Sequence, residues 1–280
     1  MDQTIYEATL EQFNSRKKAG SLSQLYEHLE RRFKMKLSQN SVMKLERVAY
    51  RLPYVHFKHA SNLVFPFEFL DSMEQGAKER LLCDLARELS GTIIKPNEVF
   101  SFWKNVKNPK KYKESWDNPA SLKVRGTNPI ISQMTNLIYW MVLHSPMVVV
   151  ERHRHEFDLY PDAQRVRPFG TGATCVYNLY DLKFQNGTSS VFQLYFEVKK
   201  GRLYGELRSL MTPTASYVVY EERSEIQRNL LGEFIRHNVI YRRTENLGFK
   251  RDKVDYINEN HALIVYDLNG REQIVGEHTT

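Results

Sequence analysis

Long apolar runs, clustered cysteines and blocks of like charge are all missing from this chain of 280 residues. No stretch approaches the roughly 20 consecutive apolar residues that a membrane-crossing helix requires. The two cysteines, Cys83 and Cys175, stand far apart, and no CxxC or Cys/His group has zinc spacing. That excludes a disulfide scaffold or a structural metal site as the organising device, and no metal or cofactor is expected. Each cysteine reads as a small buried hydrophobe. The net charge is +7, but acidic residues are interleaved with basic ones, so nucleic acid is not an expected partner. A cell-wall polymer or an anionic membrane surface remains compatible with the excess. The first residues, MDQTIYEATLEQFNSRKK, lack the basic-then-apolar order of a signal peptide, and a cytoplasmic location is the expectation.

What the chain does contain suits a globular protein with a real core: 41% hydrophobic residues and 26% charged. The 16 Tyr and 15 Phe favour strands. Leu10, Phe13, Leu22, Leu25, Leu29, Phe33 and Leu45 recur at helical spacing, predicting a helical extension over residues 1–50. Its basic patch, Glu30 to Lys36, could touch a membrane surface, although a solvated helix face is the favoured reading. Leu81, Leu82, Leu85, Ala86 and Leu89 form one apolar stripe, predicting a helix over 79–89 that ends at Gly91. A second helix is predicted over 132–143, with Ser132 as its N-cap. Residues 104–128 read as a long mobile loop. The runs 146–155, 173–181, 182–185, 191–199 and 203–209 alternate or carry β-branched residues, and 217–221, 233–244 and 262–266 continue the style. The fold class is α+β, with the 132–143 helix packed on a mostly antiparallel sheet that contains 146–155, 173–185 and 191–209. Three parts are expected: a helical extension over 1–50, a main domain over 51–210, and a β-rich extension over 211–280 packed on it.

Glu151-Arg152-His153-Arg154-His155 is the run most suggestive of chemistry. It follows Val148-Val149-Val150, which read as a buried strand. Alternation along a strand would turn Glu151, His153 and His155 to one side and Arg152 and Arg154 to the other. Two imidazoles and a carboxylate on one face are costly unless the site is wet, paired or functional. Charges at a strand end that form salt bridges in solvent are the plainer alternative. Downstream, Gly170-Thr171-Gly172 reads as a turn first and an anion-binding nest second. Asp158 and Asp162 could join the histidines around a cation. His56 and His59 read as ordinary surface or core residues.

Several blocks in order resemble the VanW family, known from vancomycin-resistance gene clusters of the VanB type. They are Leu52-Pro53-Tyr54 with His56, residues 89–103 (LSGTIIKPNEVFSFW), Asn136 to Trp140, Glu151 to His155, Phe169 to Thr174, and Asp181-Leu182 before Asn186. Tyr241 to Thr244 and Asn260-His261-Ala262 resemble the usual continuation. The resemblance implies a cell-wall or envelope connection and an accessory role in glycopeptide resistance, with no established reaction to carry over. It also implies a cell-wall precursor or peptidoglycan-related ligand as partner.

One departure stands out. Where the family usually carries Gly-Gly-Gly-x-Cys-Gln, this chain has Asn128-Pro129-Ile130-Ile131-Ser132-Gln133. A cysteine at a helix N-terminus, followed by His and Asp on later strands, would be the layout of a thiol nucleophile. Ser132 cannot simply inherit that role, because a hydroxyl gains far less from a helix terminus and depends on a general base. The candidate catalytic set is Ser132, His153, His155 and Asp181. The candidate ligand-binding set is Gln133, Asn136, Glu151, Arg152, Arg154, Gly170, Gly172 and Thr174. Three readings stay open: a binding or accessory protein, a Ser132-dependent hydrolase or acyl transferase, and a scaffold that docks on a membrane or partner.

Overall fold

The computed structural model describes residues 42–63, 72–112, 128–155, 157–158, 161–162, 165–248, 252–266, 268 and 274–277. The first sheet is built from β1 (Tyr54–Asn62), β2 (Thr92–Ile94), β7 (Phe192–Lys199) and β8 (Arg202–Ser209), in the order β1-β8-β7-β2 with every pair antiparallel. Helix α1 (Ser72–Leu89) lies on β7. Its stripe of Leu82, Leu85, Ala86 and Leu89 is buried, as its helical spacing requires. A short helix, α2 (Phe102–Asn105), directly follows β3 (Val99–Ser101).

Helix α3 (Pro129–Leu143) is the centre of the molecule, packed against β1, β8 and α1. Eleven of its side chains are buried, so it carries no polar face of ordinary width. The helix starts three residues before the predicted position. Asn128, not Ser132, is the N-cap: its Oδ1 accepts from the Ile130 and Ile131 amides, and Pro129 occupies the first helical position, which needs no amide donor. Ser132 therefore lies within the first turn, its own N–H already donating to the Asn128 carbonyl at 2.8 Å.

The predicted single sheet under this helix is two sheets. Residues 192–209 form the β7–β8 hairpin of the first. A separate three-stranded antiparallel sheet joins β3, β6 (Lys183–Gln185) and β4 (Val148–Glu151), in that order. As the edge strand, β4 leaves Val148, Val149 and Val150 exposed, contrary to the buried strand expected of three valines. Residues 173–181 are not a strand; they make isolated bridges and a tight turn, with Val176 paired to Tyr180.

The third sheet holds the long C-terminal strands β9 (Ala215–Arg228), β10 (Phe234–Asn246) and β11 (Lys253–Ile264), flanked by β12 (Ile274–Glu277) and β5 (Phe157–Asp158). Its long pairs are antiparallel, while the short flanking strands pair in parallel. The architecture is α+β with mostly antiparallel sheets. The predicted helices of residues 1–41, including the basic patch, lie outside the described residues. Residues 42–50, expected to end that helical extension, are irregular, and Arg47 bridges to Thr92. Of the predicted long loop, 104–112 carries the end of α2 and a turn of 3-10 helix at Pro109–Tyr112; 113–127 lies outside the described residues. Cys175 is buried as expected, whereas Cys83 is half-buried. Among the described residues, no helix is long and apolar enough to cross a membrane.

Candidate functional site

The Glu151–His155 run divides into two clusters, because the strand ends at Glu151 and strict alternation ends with it. Glu151 and His153 do share a side. Glu151 Oε1 lies 3.0 Å from His153 Nε2 and accepts from the Asp181 amide at 3.1 Å, while Oε2 takes the Lys183 ammonium at 2.8 Å. Burial opposes ionisation of this carboxyl, but the hydrogen bonds from His153 and Lys183 outweigh it and hold its pKa at about 2. The His153 ring lies tilted against Tyr180, centroids 4.3 Å apart.

His155 turns instead toward α3. Its Nε2 is 2.9 Å from Asn136 Oδ1, and its Nδ1 is 2.8 Å from Thr174 Oγ1. The Ala173 amide donates to the same Asn136 Oδ1 at 2.8 Å, which marks that atom as the carbonyl oxygen. Nε2 therefore carries the proton, and Nδ1 accepts from the Thr174 hydroxyl. Burial, reinforced by the positive charges of Arg152 and Arg167, lowers the His155 pKa to about 4, so the ring is neutral at physiological pH. Thr135 ties down the same loop by donating to the Ala173 carbonyl at 2.7 Å.

Arg152, expected on the opposite face from the histidines, reaches the same loop as His155. Its Nε donates to the Gly172 carbonyl at 2.9 Å and its Nη2 to the Gly170 carbonyl at 2.6 Å, with the guanidinium 5.1 Å from the Tyr139 ring centre. Both glycines are needed there. A Cβ on Gly172 would sit 2.4 Å from Asn136 Oδ1 and 2.9 Å from His155 Nε2. Gly170 has φ +83°, and a Cβ there would overlap the Asn260 amide. Arg154 is exposed and makes no hydrogen bond among the described residues. Gln133 donates to the Asn62 carbonyl at 2.7 Å, and its Oε1 is buried with no partner among the described residues.

The four candidate catalytic residues are not joined. Asp181, of the candidate catalytic set, is fully buried. It accepts from the Ser101 hydroxyl at 2.6 Å and from the Trp103 and Leu182 amides, which fastens the β3–α2 corner. Burial raises its pKa to about 6, against the pull of those hydrogen bonds. Among the described residues, no hydrogen bond links the Ser132 hydroxyl to either imidazole. Asp158 and Asp162, considered for a cation, instead receive the guanidinium groups of Arg165 and Arg236. Among the described residues, no group of three or more His, Cys, Asp or Glu side chains is placed to hold a metal ion. His56 pairs with Ser209, and His59 keeps Nε2 buried with no partner among the described residues, its pKa lowered to about 4 by burial and by Arg167 and His144.

Several contributors went unnoticed in the sequence. Arg167 donates to the Asn136 carbonyl at 3.2 Å and lies 5.6 Å from the Trp140 ring centre; burial lowers its pKa to about 10. From the C-terminal sheet, Asn238 donates to the Phe169 carbonyl, Asn260 to Asn238 and Asn258, and Asn258 to the Tyr139 hydroxyl. The legible signal for this row was Asn at alternate positions, 258 and 260, of a strand, since Asn is disfavoured in strands unless it is paired.

Residues 82–208 match the family model described as VanW like protein. The vancomycin B-type resistance protein VanW of Enterococcus faecalis is 28% identical over 171 residues, covering 60% of this chain and 62% of the relative. The chain thus spans about three fifths of the length of that curated relative. No solved structure matches. The matched segment runs from α1 through β8 and contains the central helix, the Glu151–His155 run and the Gly170–Thr174 loop; over this segment the chain is similar to the VanW-like family.

Proposed function

We propose that this protein has an accessory, ligand-binding role in cell-wall metabolism linked to glycopeptide resistance, and that its ligand is received at the polar cluster where the Gly170–Thr174 loop meets α3. The support for the biological setting is the VanW relative, whose printed name ties it to vancomycin B-type resistance. The support for binding over catalysis is one observation: both ring nitrogens of His155 are occupied by neutral partners, Asn136 and Thr174. A general base must offer a free lone pair near the proton it removes, with a pKa near the working pH. His155 meets neither condition. His153 is committed to Glu151, and Asp181 to Ser101 and two amides. Within this reading Asn136, Arg152, His155, Gly170, Gly172 and Thr174 are the binding residues, and Ser132 is a residue of the first helical turn.

Titrating soluble muropeptides into the full chain by calorimetry, with chromatography of the mixture afterwards, tests this. Binding without turnover, retained by Ser132→Ala, is expected. Turnover that disappears in Ser132→Ala would establish the hydrolase or acyl-transferase reading instead.

A further inference from the structure

The C-terminal sheet has two unlike faces. Along its middle strand, β10, even-numbered side chains turn inward: Asn238 reaches the Phe169 carbonyl, Ile240 is buried, and Arg242 reaches the Ser145 carbonyl. Alternation sends the odd-numbered side chains to the opposite face. Direct pairing across β9, β10 and β11 sets that outer face in four rows: Glu225–His237–His261, Arg223–Val239–Glu259, Tyr220–Tyr241–Tyr256 and Val218–Arg243–Val254. An antiparallel sheet with one solvated face ordinarily carries polar residues there. Here the face holds three tyrosines side by side, with ring centres 6.1 and 5.8 Å apart. Val218, Val254 and Tyr256 are 37%, 54% and 57% exposed. A contiguous apolar patch rimmed by charge marks an interaction surface.

The order within the rows says what fits. The charges on this face are of both signs, which suits neither a nucleic acid nor an anionic surface. They suit a second copy of the same face. In the sheet order β12-β9-β10-β11-β5, β10 is central and β9 and β11 flank it. Two copies laid face to face, related by a twofold axis along β10, bring β9 of one over β11 of the other. Each row then meets itself reversed. Tyr220 faces Tyr256 of the second copy, Val218 faces Val254, Arg223 faces Glu259 and Glu225 faces His261, each contact occurring twice. Apolar ends meet apolar ends, and the cation meets a carboxylate. On the axis, Val239 and Tyr241 meet their own counterparts. Arg243 does so too, its charge already answered by Glu245 of its own chain at 2.7 Å.

We propose that the outer face of the C-terminal sheet is a self-association surface, on which two copies of this chain pack face to face about an axis along β10. Sheets stacked in this way keep their strand directions within about 30° of one another. The surface lies on the side of the sheet away from the Gly170–Thr174 loop, so it is independent of the binding role proposed above.

The test is sedimentation velocity of the full chain from about 1 to about 100 µM. The wild type should show a dimer that grows with concentration. Arg223→Glu sets Glu against Glu259, and Glu259→Arg sets Arg against Arg223, so each alone should weaken the dimer at least about tenfold. Melting temperatures of the dilute variants check that both are folded. Mixing the two single variants in equal amounts should restore dimers, because in the mixed pair both contacts again join Arg to Glu. The double variant Arg223→Glu, Glu259→Arg should likewise pair with itself. A wild type that stays monomeric, single variants that dimerise as the wild type does, or a mixture no better associated than its components would each overturn the proposal.

Discussion

The two clusters that grow from Glu151–His155 use the same residue types to opposite effect. Around Glu151, charge is closed on itself: one carboxylate meets an ammonium, an imidazole and an amide at 2.8 to 3.1 Å. Around His155, the guanidinium groups of Arg152 and Arg167 meet backbone carbonyls and ring faces, with no carboxylate partner among the described residues. A closed cluster has nothing left to offer a ligand, and its expense is recovered within the fold. An open one retains unanswered charge, which is the ordinary physical mark of a binding site. Composition does not separate them, since both hold histidine beside cations. What separates them is whether an acidic partner is within reach.

The largest expected effect comes from opening the closed cluster. Glu151→Gln removes the carboxylate that the Lys183 ammonium, in a side chain 3% exposed, meets at 2.8 Å. Breaking a buried ion pair by removing one member costs about 3 kcal/mol, read as a lower urea midpoint. A loss below about 1 kcal/mol would mean that the cluster is not self-supporting. Next in size is Gly172→Ala on the open side. The new methyl would overlap Asn136 Oδ1, so the helix–loop contact must shift, at about 2 kcal/mol. An unchanged midpoint would show that the loop yields without resistance.

The pH dependence sharpens the comparison, because His155 and Asp181 shift in opposite directions. His155 titrates near 4 when folded, below the ordinary 6.5, so the unfolded chain binds more protons between those values. Its contribution is present above about 6.5 and is lost as pH falls toward 4. Asp181 titrates near 6 when folded, above the ordinary 3.8. Its contribution is present below about 3.8 and is lost as pH rises toward 6. Melting temperatures from pH 7 to 4 should therefore fall less steeply in His155→Gln and more steeply in Asp181→Asn. His59 adds a slope of the His155 sign that persists in both variants. Parallel curves for the two variants would contradict the assigned protonation states.

The sequence made some of this legible and hid the rest for identifiable reasons. The stripes of α1 and α3 and the β7–β8 hairpin follow from local periodicity, which a single chain displays openly. The start of α3 was misread because Ser132 is an attractive cap, yet Asn128 followed by Pro129 is the better signal. Alternation failed beyond Glu151 because it describes strands, and 152–155 is not one. Asp181 looked exposed because its partners, Ser101 and Trp103, lie about eighty residues away. Arg167 and the Asn238–Asn258–Asn260 row enter the site through contacts between separate elements, for which no local pattern exists.

The smallest expected change in stability belongs to the most informative variant. Arg167→Gln removes a positive charge that has no carboxylate partner among the described residues, so the folded state should lose nothing measurable. The decisive measurement is the melting temperature of wild type and Arg167→Gln, each with and without soluble muropeptides at fixed low ionic strength. The open-cluster account predicts equal stability without muropeptide, a rise for the wild type with it, and a smaller rise for the variant. A variant that melts well below the wild type in buffer, beside a wild type that no muropeptide stabilises, would show that Arg167 belongs to a closed structural network and would contradict the account.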